Sequence, residues 1–275
     1  MKTTPKRKEW EKGYSTQVVY LEEIKQNKAL LRFGKNYIKN SEVSGQIYRE
    51  RQVELKCIDG EVETEQSILG RESHEERVKD SEKISPKEGW EKIFTSSYFW
   101  VSESLFFAKY RDVYFVFKPD SVLFVRGIPR LLIEFKFSKY FNREPFRSQE
   151  VQLQNEGLFL NTLGFETSSL LYSIIIAPLS IEQESTLLNK IPTMIYKKIE
   201  GYKLGYPTSF NDINGTNISA YVYQFELDTA KKNVDWALQY WKEEREAELT
   251  KNINKCRSCH YISGCERKNI IAIQS

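Results

Sequence analysis

The residues best suited to chemistry lie in the segment FKPDSVLFVRGIPRLLIEFKFSK, residues 117–139, where charged side chains interrupt two apolar runs. The Gly and Pro of RGIP, at 126–129, predict a tight connection between these runs and therefore a β-hairpin. A turn centred there places Asp120 opposite about Phe135, beside Glu134 and Lys136. Glu134 and Lys136 are two residues apart, so both project from one face of the strand.

The strand LLIEFKF is mostly apolar but contains Glu134 and Lys136. Their presence requires an explanation, because burying an unpaired charge is costly. They could form a salt bridge on a solvated face. Alternatively, with Asp120 across the hairpin, two carboxylates converge on one lysine. Carboxylate oxygens bind Mg²⁺, and the bound metal activates a water and neutralises charge on a phosphate. Lysine orients that water or stabilises the transition state. The pattern indicates phosphodiester hydrolysis.

A second chemical cluster lies in NKCRSCHYISGCERK, residues 254–268, where three cysteines have the spacing C-x2-C-x5-C. They are Cys256, Cys259 and Cys265, and the only other cysteine of the chain is Cys57. Three clustered thiols resemble most of a metal site. The sequence has no secretory signal, so we expect metal-bound or free thiols in a cytoplasmic protein rather than disulfides.

The elements that must position these residues alternate between helical and strand patterns. We predict strands within 93–137, at 168–179 and at 219–227, from their aromatic and β-branched residues. Helical spacing covers 41–56, 64–82 and 148–165, and Asp228 is expected to cap a long helix, whereas 84–92 is interpreted as a helix break. The expected fold is mixed α/β, with a central sheet flanked by helices, a helical N-terminal part and a cysteine-rich tail.

Domain organisation and partners follow from composition. The basic residues 1–40 are interpreted as a solvated, partly mobile arm, and residues 41–275 as one domain. The apolar runs are too short to span a bilayer, so we expect no membrane partner. A net charge of +3 does not indicate nucleic acid. Residues 136–148 nevertheless interleave bases with aromatics, which suits single-stranded DNA unless the aromatics face the core. These bases and aromatics are Lys136, Lys139, Arg143, Arg147, Phe137, Tyr140, Phe141 and Phe146.

These motifs together resemble the PD-(D/E)xK nuclease superfamily, in its RecB-like iron–sulfur branch. Pro119–Asp120 and Glu134-x-Lys136 match the family signature. LGRESHEE at 69–76, with Gly70 and His74, resembles the G-x-x-x-H helix, and VQLQNEGLFLNTLGF at 151–165, with Gln152, resembles the Q-x-x-x-Y helix. CRSCHYISGC resembles the branch's cysteine tail. Similar proteins include CRISPR-associated RecB-like nucleases, nuclease domains of certain helicases, and exonuclease V type enzymes.

The resemblance implies a restriction-endonuclease-like core and a Mg²⁺- or Mn²⁺-dependent deoxyribonuclease, in particular an exonuclease on single-stranded DNA. The implied metal ligands are His74, Asp120, Glu134 and the main-chain carbonyl of Phe135. Lys136 would position the attacking water, and Gln152 would support the lysine or contact substrate. Alternatives are a CRISPR adaptation nuclease that processes new spacers, and a non-catalytic DNA-binding or assembly module. Partners would then include CRISPR adaptation or repair proteins.

Two positions depart from the family pattern. Glu156 stands where relatives have the motif tyrosine, and Arg49 stands where iron–sulfur relatives have their upstream cysteine. Three interpretations of the cysteines stay open. In the first, Cys57 joins the tail around a 4Fe–4S cluster, provided the helix ends before it. In the second, His260 or a non-protein ligand supplies the fourth contact, for example in a zinc site of three cysteines and one histidine. In the third, the site is degenerate and Cys57 is merely a small buried residue. The role of the cluster is expected to be structural, tying the tail to the first helix.

Overall fold

The computed structural model describes residues 4–26, 30–63, 84–138, 144–179, 185–201, 205–257 and 259–268. The predicted helix at 64–82, with Gly70 and His74, lies outside the described residues, and so do residues 139–143 of the basic aromatic segment. Within the described part, every helix is too short or too polar to cross a lipid bilayer.

The described strands form two mixed sheets. Their bounds are β1 Tyr37–Lys39, β2 Phe99–Ser102, β3 Phe106–Tyr110, β4 Val113–Phe117, β5 Ser121–Val125, β6 Ile128–Ser138, β7 Leu171–Pro178, β8 Thr208–Phe210 and β9 Ser219–Gln224. The larger sheet has six strands in the order β2-β5-β6-β7-β9-β8, and the smaller has the order β1-β4-β3.

The described helices flank these sheets. They are α1 Thr4–Gln26, α2 Asn40–Asp59, α3 Pro86–Thr95, α4 Arg147–Thr162, α5 Ser185–Gly201, α6 Leu227–Trp241 and the short α7 Asn254–Arg257. Together with the mixed sheets and the cysteine-rich C-terminal region, they confirm the predicted fold class.

Strand β6 is central because it pairs with neighbours on both edges. It is antiparallel to β5, through a two-residue turn at Arg126 and Gly127, and parallel to β7, through α4. Both turn residues have positive φ, 52° and 85°, as a tight hairpin turn requires. A parallel pair needs a long crossover, and α4 supplies it. The hairpin and α4 therefore meet on the same strand.

Each face of β6 packs on a different layer. Ile133 and Phe135 belong to a core cluster that includes Ile191 and Ile195 of α5. Leu132 lies in the other core cluster, with residues of α4 and the smaller sheet. Because side chains alternate along a strand, Glu134 and Lys136 share the face of Leu132. The two charged residues are thus turned towards α4.

Helix α4 is buried on nearly every side. Ten of its residues are buried, among them the polar Gln154, Asn155 and Glu156. A Cβ on Gly157 would lie 2.5 Å from the ring of Phe225, so glycine permits the close approach of the chain leading into α6. The helix begins one residue before the predicted 148–165 and ends at Thr162.

Four expectations need correction. Residues 86–95 form α3 rather than a break followed by a strand, because Ser85 Oγ accepts from the Glu88 N–H at 3.2 Å and Pro86 occupies the first turn. Helix α2 continues through Cys57 to Asp59. Strand β9 stops at Gln224. Helix α6 follows Glu226 as its N-cap and ends at Trp241, so Asp228 lies in its first turn.

The expected solvated arm also differs, because residues 4–26 form helix α1. Trp10 and Ile24 on this helix are buried, and Gln17 exchanges two hydrogen bonds of 2.8 Å with the main chain of Phe107 in β3. The helix passes so close to α3 that a Cβ on Gly13 would lie 2.4 Å from the Trp90 ring. Residues 4–26 are therefore part of the folded body.

Candidate functional site

The β5–β6 hairpin brings Asp120 to the strand that carries Glu134. Ser121 pairs with Ile133, and the Phe135 N–H donates to Asp120 Oδ2 at 2.6 Å. Asp120 therefore lies opposite Glu134, one residue from the predicted partner, because the turn is formed by Arg126 and Gly127 rather than centred on 126–129. A bulge between Leu123 and Phe124 shifts the register back by one residue towards the predicted pairing. The predicted convergence of the two carboxylates on one patch of the sheet is present.

Glu134 is the centre of the patch. It is only 2% exposed, and its Oε1 accepts from Lys136 Nζ in an ion pair. Its Oε2 accepts from Gln152 Nε2 at 3.0 Å. Gln152 lies one and a half turns into α4, so the crossover between the two parallel strands delivers this amide. The structure thus brings together Asp120, Glu134, Lys136 and Gln152, as the sequence predicts.

Lys136 stays charged in this environment. Burial favours the neutral amine, but the negative charges of Glu134 and Asp120 and the hydrogen bond to Glu134 outweigh burial, so the net effect raises the lysine pKa. A lysine that holds its proton donates hydrogen bonds and stabilises negative charge, and it does not act as a general base. Its place beside Glu134 suits an electrostatic and positioning role.

Glu156 joins the site one turn further along α4. It is 1% exposed, and its Oε1 accepts from Asn40 Nδ2 at 3.2 Å. Its Oε2 is buried and has no hydrogen-bond partner among the described residues. Burial and the charges of Glu134 and Asp120 hold the pKa of Glu156 well above its usual range. A residue noted in the sequence only as a departure is therefore coupled to the candidate site.

Asn40 is a member of this site that sequence analysis missed. Its Nδ2 also donates to the Gln152 carbonyl at 2.9 Å, and its Oδ1 accepts from Asn155 at 3.2 Å. It is the first residue of α2 and is 3% exposed. An Asn at a helix start usually suggests a cap, and nothing in the sequence links it to residues more than a hundred positions away.

The donor set suits a hard cation. No group of three or more His, Cys, Asp or Glu side chains is arranged to bind a metal ion among the residues that the structure describes, and His74 lies outside them. Asp120, Glu134 and Glu156 are nevertheless three buried carboxyl groups whose negative charges act on Lys136, and Glu134 forms an ion pair with it. The Oε2 of Glu156 is a further buried oxygen without a hydrogen-bond partner among the described residues. Oxygen donors of this kind fit Mg²⁺ or Mn²⁺.

The flank of the site carries part of the basic aromatic segment. Phe146 is 44% exposed, and Arg147 at the start of α4 is also exposed. Phe137 is half-buried against the α5 core. The Phe146 ring lies 6.1 Å from that of Tyr48 on α2. Of the predicted surface, the described residues Phe146 and Arg147 are thus exposed, six and five residues before Gln152.

The cysteine tail packs against α2. A small cavity is lined by Cys256, Cys259 and Cys265 of the tail and by Arg49, Gln52 and Leu55 of α2. The Tyr261 hydroxyl donates to the Gly60 carbonyl at 2.9 Å and accepts from the Val62 N–H at 2.8 Å. The predicted closure of the tail onto the first helix of the domain is present.

Cys57 does not line this cavity. It lies inside α2, where it packs against the core beside Tyr240, so the expectation that the helix ends before it is wrong. Burial raises the pKa of its thiol, and the charged groups that act on it are Lys35, Glu42 and Lys56, none of which belongs to the tail. His260 is exposed and is also absent from the described lining.

Comparisons with known proteins add little. No family model and no curated protein matches the chain. Among solved structures the chain is similar to SSO0001, known from a crystal structure, with a TM-score of 0.44 and 14% sequence identity over 92% of this chain and 96% of that chain. A likeness of this degree carries no functional argument, so the function must be argued from the residues themselves.

Proposed function

We propose that the protein is a metal-dependent deoxyribonuclease that hydrolyses phosphodiester bonds of single-stranded DNA as an exonuclease. The observation that carries the proposal is the meeting of Asp120, Glu134, Lys136 and Gln152 on one face of β6. This patch carries two carboxylates and one lysine, and it is partly accessible to solvent because the Lys136 side chain is 28% exposed.

Each residue then has a physical role. Asp120 and Glu134 would hold Mg²⁺ or Mn²⁺ together with the Phe135 carbonyl, and His74 is a further proposed ligand. When bound, the metal supplies an acidic water and neutralises phosphate charge. The Lys136 ammonium orients the attacking water and stabilises charge on the phosphate. Gln152 donates to Glu134 Oε2 and fixes the carboxylate rotamer.

Single-stranded DNA is supported by the neighbouring surface. The exposed Phe146 ring offers a stacking platform for a base, and the exposed Arg147 offers a phosphate contact. Both precede Gln152 on the segment that enters α4. A strand that stacks on Phe146 would therefore lead towards the carboxylates.

We also propose that the tail cysteines hold a 4Fe–4S cluster with a structural role. The thiols line a common cavity on α2, while the exposed His260 does not, which disfavours a zinc site of three cysteines and one histidine. A cluster there would bind the C-terminal tail to α2, which begins with the Asn40 that contacts Gln152 and Glu156.

The deciding experiment measures degradation of end-labelled single-stranded DNA with Mg²⁺ or Mn²⁺. Glu134→Ala and Lys136→Ala are each expected to lower the rate at least about 100-fold. Glu88→Ala and Lys92→Ala are matched controls, because these residues form a surface ion pair of 3.2 Å on α3. Equal rates for all variants and wild type would reject the proposed active site. DNA binding without cleavage in wild type would favour the non-catalytic module instead.

A further inference from the structure

We propose that α2 and the C-terminal tail form a binding subsite for single-stranded DNA beside the exposed ring of Phe146. Its phosphate contacts are the two cations Arg49 and Lys255, and Tyr48 holds them next to the stacking surface. The inference rests on the proposed function for the class of partner, but it concerns binding and not cleavage. It is carried by a cluster of aromatic rings and unpaired cations where the start of α4, α2 and the tail meet.

Tyr48 connects the aromatic surface to the cations. Its ring centroid lies 6.1 Å from that of Phe146, with 45° between the ring planes. Lys255 Nζ lies 4.1 Å from the Tyr48 centroid, and Arg49 Cζ lies 4.9 Å from it. Cations at such distances are attracted by the electron-rich face of the ring. Because the two cations occupy the Tyr48 ring, the ring that offers exposed surface to a base is Phe146, which is 44% exposed.

Main-chain hydrogen bonds hold the two cations side by side. Lys255 Nζ donates to the Tyr48 carbonyl at 3.1 Å. Arg49 lies at an interruption of α2, with extended backbone angles of φ −161° and ψ 89°, and its Nη1 donates to the Lys255 carbonyl. These bonds join α2 to the tail in both directions. The positive charge is therefore concentrated at one place instead of spreading into solvent on free side chains.

The charges of Arg49 and Lys255 have no acidic counterpart. Neither forms an ion pair with a carboxylate among the residues that the structure describes, whereas Arg51 pairs with Glu54 and, at 2.7 Å, with Glu266. Arg49 Nε is buried and has no hydrogen-bond partner in the same part of the chain. Burial and the charge of Arg49 lower the pKa of Lys255. An anion beside this pair would offset the repulsion and accept the unused donor.

The spacing suits a nucleic acid strand, in which phosphates alternate with bases. Since both border Tyr48, Lys255 Nζ and the Phe146 ring are at most about 10 Å apart, the length of about three nucleotides in a stacked strand. A base must be unpaired to stack on an aromatic side chain, which favours a single strand over a duplex. Arg147 adds positive charge beside Phe146, and Glu150 feels that charge. Lys255 and Arg49 are thus the cations left for phosphate.

The test of the phosphate contact measures binding of a labelled oligothymidylate of about 16 nucleotides to the full chain in EDTA, over a range of salt concentrations. Lys255→Ala is expected to lower the slope of log K against log salt by about 0.7, the value for one phosphate contact on a single strand. Lys255→Arg keeps the charge and should keep the slope. Lys87→Ala is the matched control, because Lys87 is an exposed lysine on α3.

The test of stacking adds a second oligonucleotide of the same length whose sugars carry no bases. Phe146→Ala is expected to weaken binding of the oligothymidylate about tenfold and to leave binding of the abasic strand unchanged. Phe146→Tyr should bind both strands like wild type. Lys255→Ala should weaken binding of both strands, because both carry the phosphates.

Four outcomes would overturn the proposal. They are an unchanged salt slope in Lys255→Ala, an equal loss for both strands in Phe146→Ala, a duplex of the same length that binds as tightly as the single strand, and wild type that does not bind the oligothymidylate. The Phe146 comparison holds even if Lys255→Ala fails to fold. None of these readouts involves cleavage, so the comparison of Glu134→Ala with wild type on labelled DNA decides the nuclease proposal separately.

Discussion

The hairpin site and the cysteine tail differ in the kind of secondary structure that positions their side chains. Asp120, Glu134 and Gln152 are positioned by two paired strands and a buried helix, and their side chains satisfy one another directly. The tail cysteines are positioned by α7, which has four residues, and by a three-residue 3₁₀ turn at Ile262–Gly264. Regular structure orders the first group, whereas the second is ordered by short-range turn bonds, such as those donated by the Cys259 and Cys265 N–H groups.

Under the proposed functions, this difference separates a site whose geometry precedes its ligand from one that a ligand must complete. Burial of β6 and α4 stabilises the hairpin site whether or not a metal is bound. Small metal-binding segments gain much of their order from the bound metal. The predictions below test this contrast.

The largest effect is expected from Asp120→Asn. The amide oxygen can still accept from the Phe135 N–H, so the hairpin is preserved, but the loss of charge should lower nuclease activity by about 10² to 10³. Asp235→Asn is the matched control, because Asp235 pairs with Arg111 on the surface. Rates on labelled DNA and the thermal midpoints are measured. An active Asp120→Asn protein would contradict the assigned role of the carboxylate.

Glu50→Gln should cause the largest loss of stability. Glu50 is 2% exposed, and its carboxylate accepts two bonds from Arg245, at 2.6 and 2.7 Å, and another from the Glu248 N–H at 2.7 Å. Breaking a buried ion pair costs about 3–5 kcal/mol. Glu246→Gln is the control, because that side chain is 86% exposed. Urea unfolding gives both free energies, and equal values would refute the importance of this link between α2 and the segment before the tail.

Removal of the proposed iron–sulfur cluster should loosen the tail and leave the hairpin unchanged. Amides of residues 254–268, such as Cys259 and Cys265, are expected to exchange with deuterium at least about tenfold faster in the apoprotein, because local opening then costs less. Residues 131–137 should exchange at the same rate in both forms. Hydrogen-exchange mass spectrometry makes the comparison. Equal tail protection with and without iron would remove the contrast between the two regions.

The smallest effect is expected from Glu156→Gln. The folded-state pKa of Glu156 is raised by burial and by Glu134 and Asp120, so the folded protein binds this proton more tightly than the unfolded chain. Wild type therefore loses stability as pH rises from the ordinary Glu pKa of about 4.3 towards the raised value. The variant should unfold at a higher temperature than wild type at about pH 8, and the gap should close near pH 4. A gap independent of pH would contradict the assigned titration.

Much of the hairpin could be predicted because its determinants are local. Alternating charged and apolar residues in 117–139, with Gly127 in the turn, predict both the strands and the face that carries Glu134 and Lys136. The one-residue error in the partner of Asp120 comes from the turn, which Arg126 and Gly127 form rather than the centre of RGIP, and a bulge between Leu123 and Phe124 offsets part of the difference. The start of helix α3 also has a local signal, since Ser85 before Pro86 favours an N-terminal cap, so the interpretation of residues 84–92 as a helix break is wrong.

Other features have no local signal. Asn40 and Glu156 meet across more than a hundred residues, and no periodicity connects them. In α1 the buried residues Trp10, Gln17 and Ile24 recur every seven residues and form a narrow buried face of the helix. The surrounding basic residues obscure this pattern in the sequence. The prediction that α2 ends before Cys57 is wrong because the helix-stop signal at Asp59–Gly60 lies after the cysteine. Cys57 is therefore helical, and its thiol faces the core.

Residue order thus suffices for the mixed α/β class, the acidic hairpin and the existence of a thiol cluster, because patterning and spacing along a few residues dictate them. Tertiary packing alone settles which thiols share a cavity, how Glu156 is buried against Glu134, and why Arg49 faces the tail. These depend on the rotation of helices around their axes and on contacts between segments far apart in the chain, and a one-dimensional pattern does not encode either.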